Sequence, residues 1–179
     1  WLVVDDGSFD DTIEVAQKCG VDHIFRLPQN SGLSSAFSAG LLESLRLGAD
    51  VIVNTDADNQ YNAEDIPWLV EPILQGKADR VVGERPISSM EHFSLVKKLL
   101  QKWGSAVVRS ISRTEVRDAP SGFRAFSRDA AMRLNVFTRY TYTLETIIQA
   151  GQMGMSVVSV PIRVNGETRP SRLVKSIGS

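Results

Sequence analysis

Cysteine is nearly absent. Cys19 stands alone in 179 residues, so no internal disulfide can form, and a reducing compartment suits the chain. No apolar run approaches the roughly 18 residues needed to span a bilayer, and no secretory leader opens the sequence. A charge excess is missing too: the formal net charge is −1, which gives nucleic acid no bulk attraction. His23 and His92 are the two histidines and sit in no constellation. There is no internal repeat and no low-complexity tract. What remains is 42% hydrophobic and 23% charged, ordinary for a soluble globular domain and long enough for one α/β core. The chain starts at Trp1, inside a strand-like run and without an initiator Met, and stops at Ser179 after a basic stretch. The expectation is therefore a segment of a longer protein, with a domain over 1–165 and a basic stretch over 166–179.

Apolar runs predict strands over 1–4, 21–27, 51–55, 79–83 and 156–164. Helical spacing predicts helices over 12–18, 34–47, 62–75, 91–113, 128–134 and 143–153. In the 62–75 helix, Ile66, Leu69, Val70, Ile73 and Leu74 share a face, Pro67 sits in the tolerated first turn and Pro72 predicts a kink. Strands alternating with helices predict parallel βαβ units.

Three strand ends carry chemistry. The strongest is Asp56-Ala57-Asp58-Asn59-Gln60-Tyr61 after Val51-Ile52-Val53. Period-two geometry aims Asp56 and Asp58 to one side, at the strand edge where open α/β sheets bind ligands. Like charges held there repel, and a hard divalent cation, Mg²⁺ or Mn²⁺, with Gln60 as a further oxygen donor, resolves that cost. The alternative is a solvated acidic turn. Asp5-Asp6-Gly7-Ser8 closes the first strand and offers acceptors to a base or ribose, or caps an ordinary turn. A phospho-aspartate phosphatase reading fits it poorly, because its carboxylates are adjacent. Asn30-Ser31-Gly32-Leu33-Ser34 opens a helix, as a phosphate or ribose site or as a cap made by Ser31 or Ser34. Arg117 through Arg124 sets two guanidiniums and a hydroxyl around a Pro-Ser-Gly turn, suited to phosphate or simply solvated.

In order along the chain, Val3 to Ser8, Asn30 to Leu33, Asp56 to Tyr61, Arg117 to Phe126 and Tyr142 to Glu145 resemble the family-2 glycosyltransferases of GT-A fold. The branch they most resemble makes dolichyl- or polyprenyl-phosphate sugars. The resemblance implies an α/β, Rossmann-like GT-A fold, with a mostly parallel sheet flanked by helices and the family's first strand missing. It implies that Asp5, Asp6, Ser8 and Asp56 contact a nucleotide-sugar donor, with Arg169 closing over its diphosphate. Asp56, Asp58 and Gln60 would hold the metal, and Arg117, Ser121 and Arg124 the acceptor phosphate. Leu33 stands where many relatives carry a Lys, so no cationic role falls there.

The expected reaction is inverting transfer from a nucleotide sugar to a polyprenyl phosphate. A hydroxyl acceptor needs a base, for which Glu145 is the candidate, with Asp118 as orienter. A lipid phosphate, with a second pKa of about 6, is already largely ionised. A hydroxyl acceptor and a non-catalytic sugar-nucleotide-binding domain remain the alternatives. In the 91–113 helix, Phe93, Val96, Leu99, Leu100, Trp103, Val107 and Ile111 can share an apolar side among Lys97, Lys98, Lys102 and Arg109. That pattern reads either as a helix on an anionic membrane surface or as one packed on the sheet with a solvated basic face. The expected location is the cytoplasmic face of a membrane.

Overall fold

The computed structural model describes residues 1–86, 95–138 and 141–165, and for 95–102 the backbone alone. Its strands are β1 (Leu2–Asp5), β2 (His23–Arg26), β3 (Val51–Asn54), β4 (Arg80–Glu84), β5 (Arg124–Ser127) and β6 (Val157–Pro161). Its α-helices are α1 (Thr12–Lys18), α2 (Leu33–Arg46), α3 (Ile66–Leu74), α4 (Leu95–Ser112), α5 (Arg128–Arg133) and α6 (Tyr142–Gln152). A single 3₁₀ turn, Ala63–Asp65, leads into α3. Pro67 lies in the first turn of α3, and the helix runs past Pro72 to Leu74.

β1 and β2 pair in parallel as a two-stranded sheet, and the other strands form a sheet in the order β3-β5-β4-β6. β4 and β6 are parallel, while β5 runs antiparallel to both β3 and β4. The sheet is therefore mixed. Sequence periodicity overlooked β5, because its apolar pair Ala125-Phe126 lies between Arg124 and Ser127 and makes no run.

Strand alternation splits the core across the larger sheet. Ile52 and Phe126 face α2, α5 and α6, clustering with Phe37, Leu41, Ala131, Leu134 and Tyr142. Val81 and Ala125 point the other way, to Leu69 of α3, Tyr61, Phe123 and Ile162. Val82 joins Val108 of α4 and Ile147 of α6. The same helix α2 also covers β1, where Gly40 meets the Val4 side chain. One helix thus spans both sheets and brings their strand ends to its N-terminal half.

Candidate active site

The first acidic turn and the Asn30-Ser31-Gly32 loop form one unit. Gly7 has φ +74, and a Cβ there would lie 2.7 Å from the Gln29 carbonyl carbon. Only glycine fits so close to another backbone in that conformation. Asp6 accepts from the backbone N–H of Ser31 at 2.7 Å and of Gly32 at 2.9 Å. Asp6 therefore ties down the start of α2, whose N-cap is Gly32 and not Ser31 or Ser34. Asp5 is buried. Its Oδ1 accepts from Ser8 N at 3.1 Å, and its Oδ2, paired with Arg26 Nε at 3.3 Å, receives no hydrogen bond.

The end of β3, which leads into the second acidic turn, reaches the same end of α2 through Tyr142. Phe37 stacks on Tyr142 with ring centroids 3.8 Å apart. The Tyr142 hydroxyl accepts from Asn54 Nδ2 at 2.8 Å, at the end of β3. Phe37 lies five residues beyond Gly32, about 7 Å along the helix axis. The ends of β1 and β3 thus both approach the first turns of α2, Asp6 at Gly32 and Asn54 through Tyr142 at Phe37.

Beyond Asn54 the chain is held by the Ser121–Phe123 segment. Asn54 Nδ2 donates to Gly122 O at 2.9 Å, and Gly122 N donates to the Tyr61 hydroxyl at 2.9 Å. Asp56 lies directly against Gly122: a Cβ on that residue would stand 3.0 Å from Asp56 Cγ. Asp58 Oδ1 accepts from Gln60 N at 3.0 Å, closing the turn. Beyond β6, Asn165 holds the loop in place, its N–H donating to Gln60 O at 2.8 Å and its side-chain amide to Asn59 O at 3.1 Å.

Electrostatics mark the same spot. Burial, and then the charge of Asp58, raise the Asp56 pKa above its ordinary value, against the lowering pull of Arg124 and Arg85. The Tyr142 phenol is pushed up to about 12, by burial first and by Asp56 second. The donor set suits a hard divalent cation: two carboxylates close enough to repel, with an amide oxygen beside them. That oxygen, Gln60 Oε1, is also 3.4 Å from Arg85 Nη1. No group of three or more acidic, His or Cys side chains gathers among the described residues.

The segment from Arg117 to Arg124 divides. Arg117 is exposed. Ser121 and Arg124 are fully buried. Arg124 donates to the carbonyls of Ser121 and Ala119, each at 2.6 Å, and of Thr143 at 2.7 Å, and burial pushes its pKa down to about 10. The guanidinium is enclosed and bonded to three carbonyls, so in this structure it ties the Ser121 turn to the start of α6 and does not face solvent. Ser121 Oγ accepts from Phe123 N at 3.4 Å and is likewise enclosed.

Glu145, the candidate base, and Asp118, the candidate orienter, are both engaged. Arg85 grips Asp118 with Nε at 2.7 Å and Nη2 at 3.0 Å. Burial alone would lower the Arg85 pKa, but Asp118 outweighs it and keeps the guanidinium firmly charged. Glu145 accepts from Phe137 N at 3.0 Å, Thr138 N at 3.2 Å and Thr138 Oγ1 at 2.8 Å. Desolvation pushes its pKa up, yet those bonds prevail and leave it below the usual value. Arg85 escaped the sequence reading. Its one signal is a basic residue just past the end of β4, level with the other strand ends. Arg169 lies outside the described residues.

Residues 1–134 match the family described as Glycosyl transferase family 2. The chain is 29% identical over 184 residues to the undecaprenyl-phosphate mannosyltransferase of Micrococcus luteus, covering 95% of this chain and 75% of that protein. It is 33% identical over 180 residues to the dolichol-phosphate mannosyltransferase of Pyrococcus furiosus, covering 94% of this chain and 49% of that one. Among solved structures it resembles glucosyl-3-phosphoglycerate synthase from Mycobacterium tuberculosis with a TM-score of 0.74 at 21% identity, covering 94% of this chain and 61% of the other. The chain thus spans less than two thirds of that structure and about half of the Pyrococcus protein. The chain belongs to glycosyl transferase family 2, and its named relatives include the transferases that place sugars on polyprenyl phosphates.

Proposed function

We propose that this domain moves a sugar from a nucleotide-sugar donor to a polyprenyl phosphate, with inversion, at the cytoplasmic face of a membrane. The acceptor phosphate oxygen forms a bond to the anomeric carbon. The bond from that carbon to the diphosphate breaks, and its electron pair leaves with the nucleoside diphosphate. Asp58 and Asp56 would hold Mg²⁺ or Mn²⁺, with Gln60 in reach. The ion would supply charge to offset that developing on the leaving diphosphate. A solved relative in fold carries Mn²⁺ with UDP-glucose, which favours such an ion here. Asp5 and Ser8 border the nucleotide, and Asp6 fixes the α2 N-terminus that faces it.

The observation that carries the choice of acceptor is the engagement of Asp118 and Glu145. A hydroxyl acceptor needs a carboxylate free to take a proton. Glu145, the candidate base, is filled by backbone donors, and Asp118, the candidate orienter, is clamped by Arg85. An ionised lipid phosphate needs no base and draws on cations, of which Arg117 is exposed and Arg85 lies beside Gln60. Asp118 then serves as a positioning residue for Arg85. The basic stretch 166–179, with Arg169, would complete the donor side in a longer chain.

The test offers a panel of labelled nucleotide sugars with polyprenyl phosphate and Mn²⁺. Label is expected in the organic extract, and chelation of the metal removes it. Label transferred only to water-soluble hydroxyl acceptors would overturn the reading.

A further inference from the structure

Over residues 103–112, helix α4 turns apolar residues outward and serines inward. Val108 faces the core, but so do Ser105 and Ser112. On the outside stand Trp103 at 68% exposure, Val107 at 38% and Ile111 at 54%. These three recur every four residues and so make one strip along the helix. A packed helix normally places such residues inward. The inward serines have a reason. Ser105 Oγ accepts from Ala119 N at 3.3 Å, Ser112 Oγ shares a 2.8 Å hydrogen bond with Thr114 Oγ1, and Gly151 of α6 crosses against the Ser112 carbonyl. Among the described residues, no partner accounts for the outward strip.

Charge points to what covers it. The α4 sequence holds Lys97, Lys98, Lys102 and Arg109 and no acidic residue, in a chain whose net charge is −1. Leu99 and Leu95 precede Trp103 by four and eight positions. No helix among the described residues is long and apolar enough to cross a membrane. Apolar residues with Trp, set among lysines and lacking acids, suit a helix lying in the plane of an anionic lipid surface.

We infer that the outer face of α4 is a docking surface for an anionic bilayer, with Trp103, Val107 and Ile111 inserted at the head-group level. The inference deepens the lipid-acceptor reading and rests on it for the kind of surface. It also adds a geometric link. Ser105 ties α4 to the segment holding Asp118 and Ala119, so the docking helix is bonded directly to the stretch of chain that carries the exposed Arg117.

The test is co-sedimentation of the chain with vesicles of phosphatidylcholine alone, and of phosphatidylcholine with an equal amount of phosphatidylglycerol, none containing polyprenyl phosphate. Binding is expected to the anionic vesicles, released by salt. The double variant W103S/I111S should bind about tenfold more weakly, with an unchanged circular dichroism spectrum. Equal binding by variant and wild type, or no binding to either vesicle, overturns the proposal. So does a dimer in sedimentation velocity that the double variant dissolves, since a second copy would then be the occupant. The acceptor reading is tested apart, by transfer to a short water-soluble prenyl phosphate without vesicles. Docking and acceptor chemistry can thus fail independently.

Discussion

Gly122 is where the site is narrowest. Its N–H and C=O hold Tyr61 and Asn54, and its missing side chain makes room for the Asp56 carboxylate. Gly122→Ala is expected to push Asp56 aside and cut kcat/KM by at least about a hundredfold, the scale seen when catalytic groups shift by an ångström. Steady-state kinetics with unchanged thermal stability would bear this out. Arg80 makes the opposite case. It is fully buried over the Phe126 ring, donates to Thr146 Oγ1 at 2.7 Å, and has no protein acceptor for Nε or Nη1. Burial, and next the neighbouring Arg124, drive its pKa well down. Arg80→Met keeps the volume and removes the desolvated charge, so it should leave stability unchanged or raise it by about 1–4 kcal/mol, read by denaturant unfolding. Breaking the enclosed Arg85–Asp118 pair with Asp118→Ala should cost about 3–5 kcal/mol instead, because it strands a buried charge.

At the scale of elements, the strands with unbroken apolar runs were legible. Val3-Val4, Val51-Ile52-Val53 and Val81-Val82 announce β1, β3 and β4, and the spacing of Phe37, Leu41 and Leu45 announces α2. β5 was hidden, because Arg124 is a strand residue that buries its charge by bonding to carbonyls, which no local pattern reveals. The partners of the chemistry were hidden for a related reason. Arg85 and Asp118 are 33 positions apart, and Asp6 and Gly32 are 26 apart, so only folding shows that those groups are taken. The acidic pair itself was legible because two carboxylates at a strand end are costly wherever they fall. The apolar strip of α4 could be read, but its outward orientation could not, since the inward side is chosen by close packing on α6. That packing gives an element-scale test. A Cβ at Gly151 would overlap Ser112 O and lie 2.8 Å from its carbon. Gly151→Ala should therefore separate α4 from α6 and cost about 1–3 kcal/mol, seen as a lower unfolding midpoint.

For the molecule as a whole, pH links stability to the site. The raised folded pKa of Asp56 means that its protonated form favours the fold. Its contribution is fully present below the ordinary value of 3.8 and is lost as pH rises through the raised folded value. Above that window the ion-free chain carries the repulsion with Asp58, and a divalent cation should relieve it. Melting temperature followed against pH should therefore show Mn²⁺ stabilising the wild type increasingly through that window, and Asp56→Asn showing little of the effect. The most direct measurement is calorimetric titration of UDP and GDP, with and without Mn²⁺, into the wild type and Asp58→Ala. The account predicts that one of the nucleotides binds the wild type only with Mn²⁺, and that Asp58→Ala loses about tenfold or more, roughly 1.4 kcal/mol, while keeping its fold. Equal affinity in the two proteins, or binding indifferent to the metal, would contradict it.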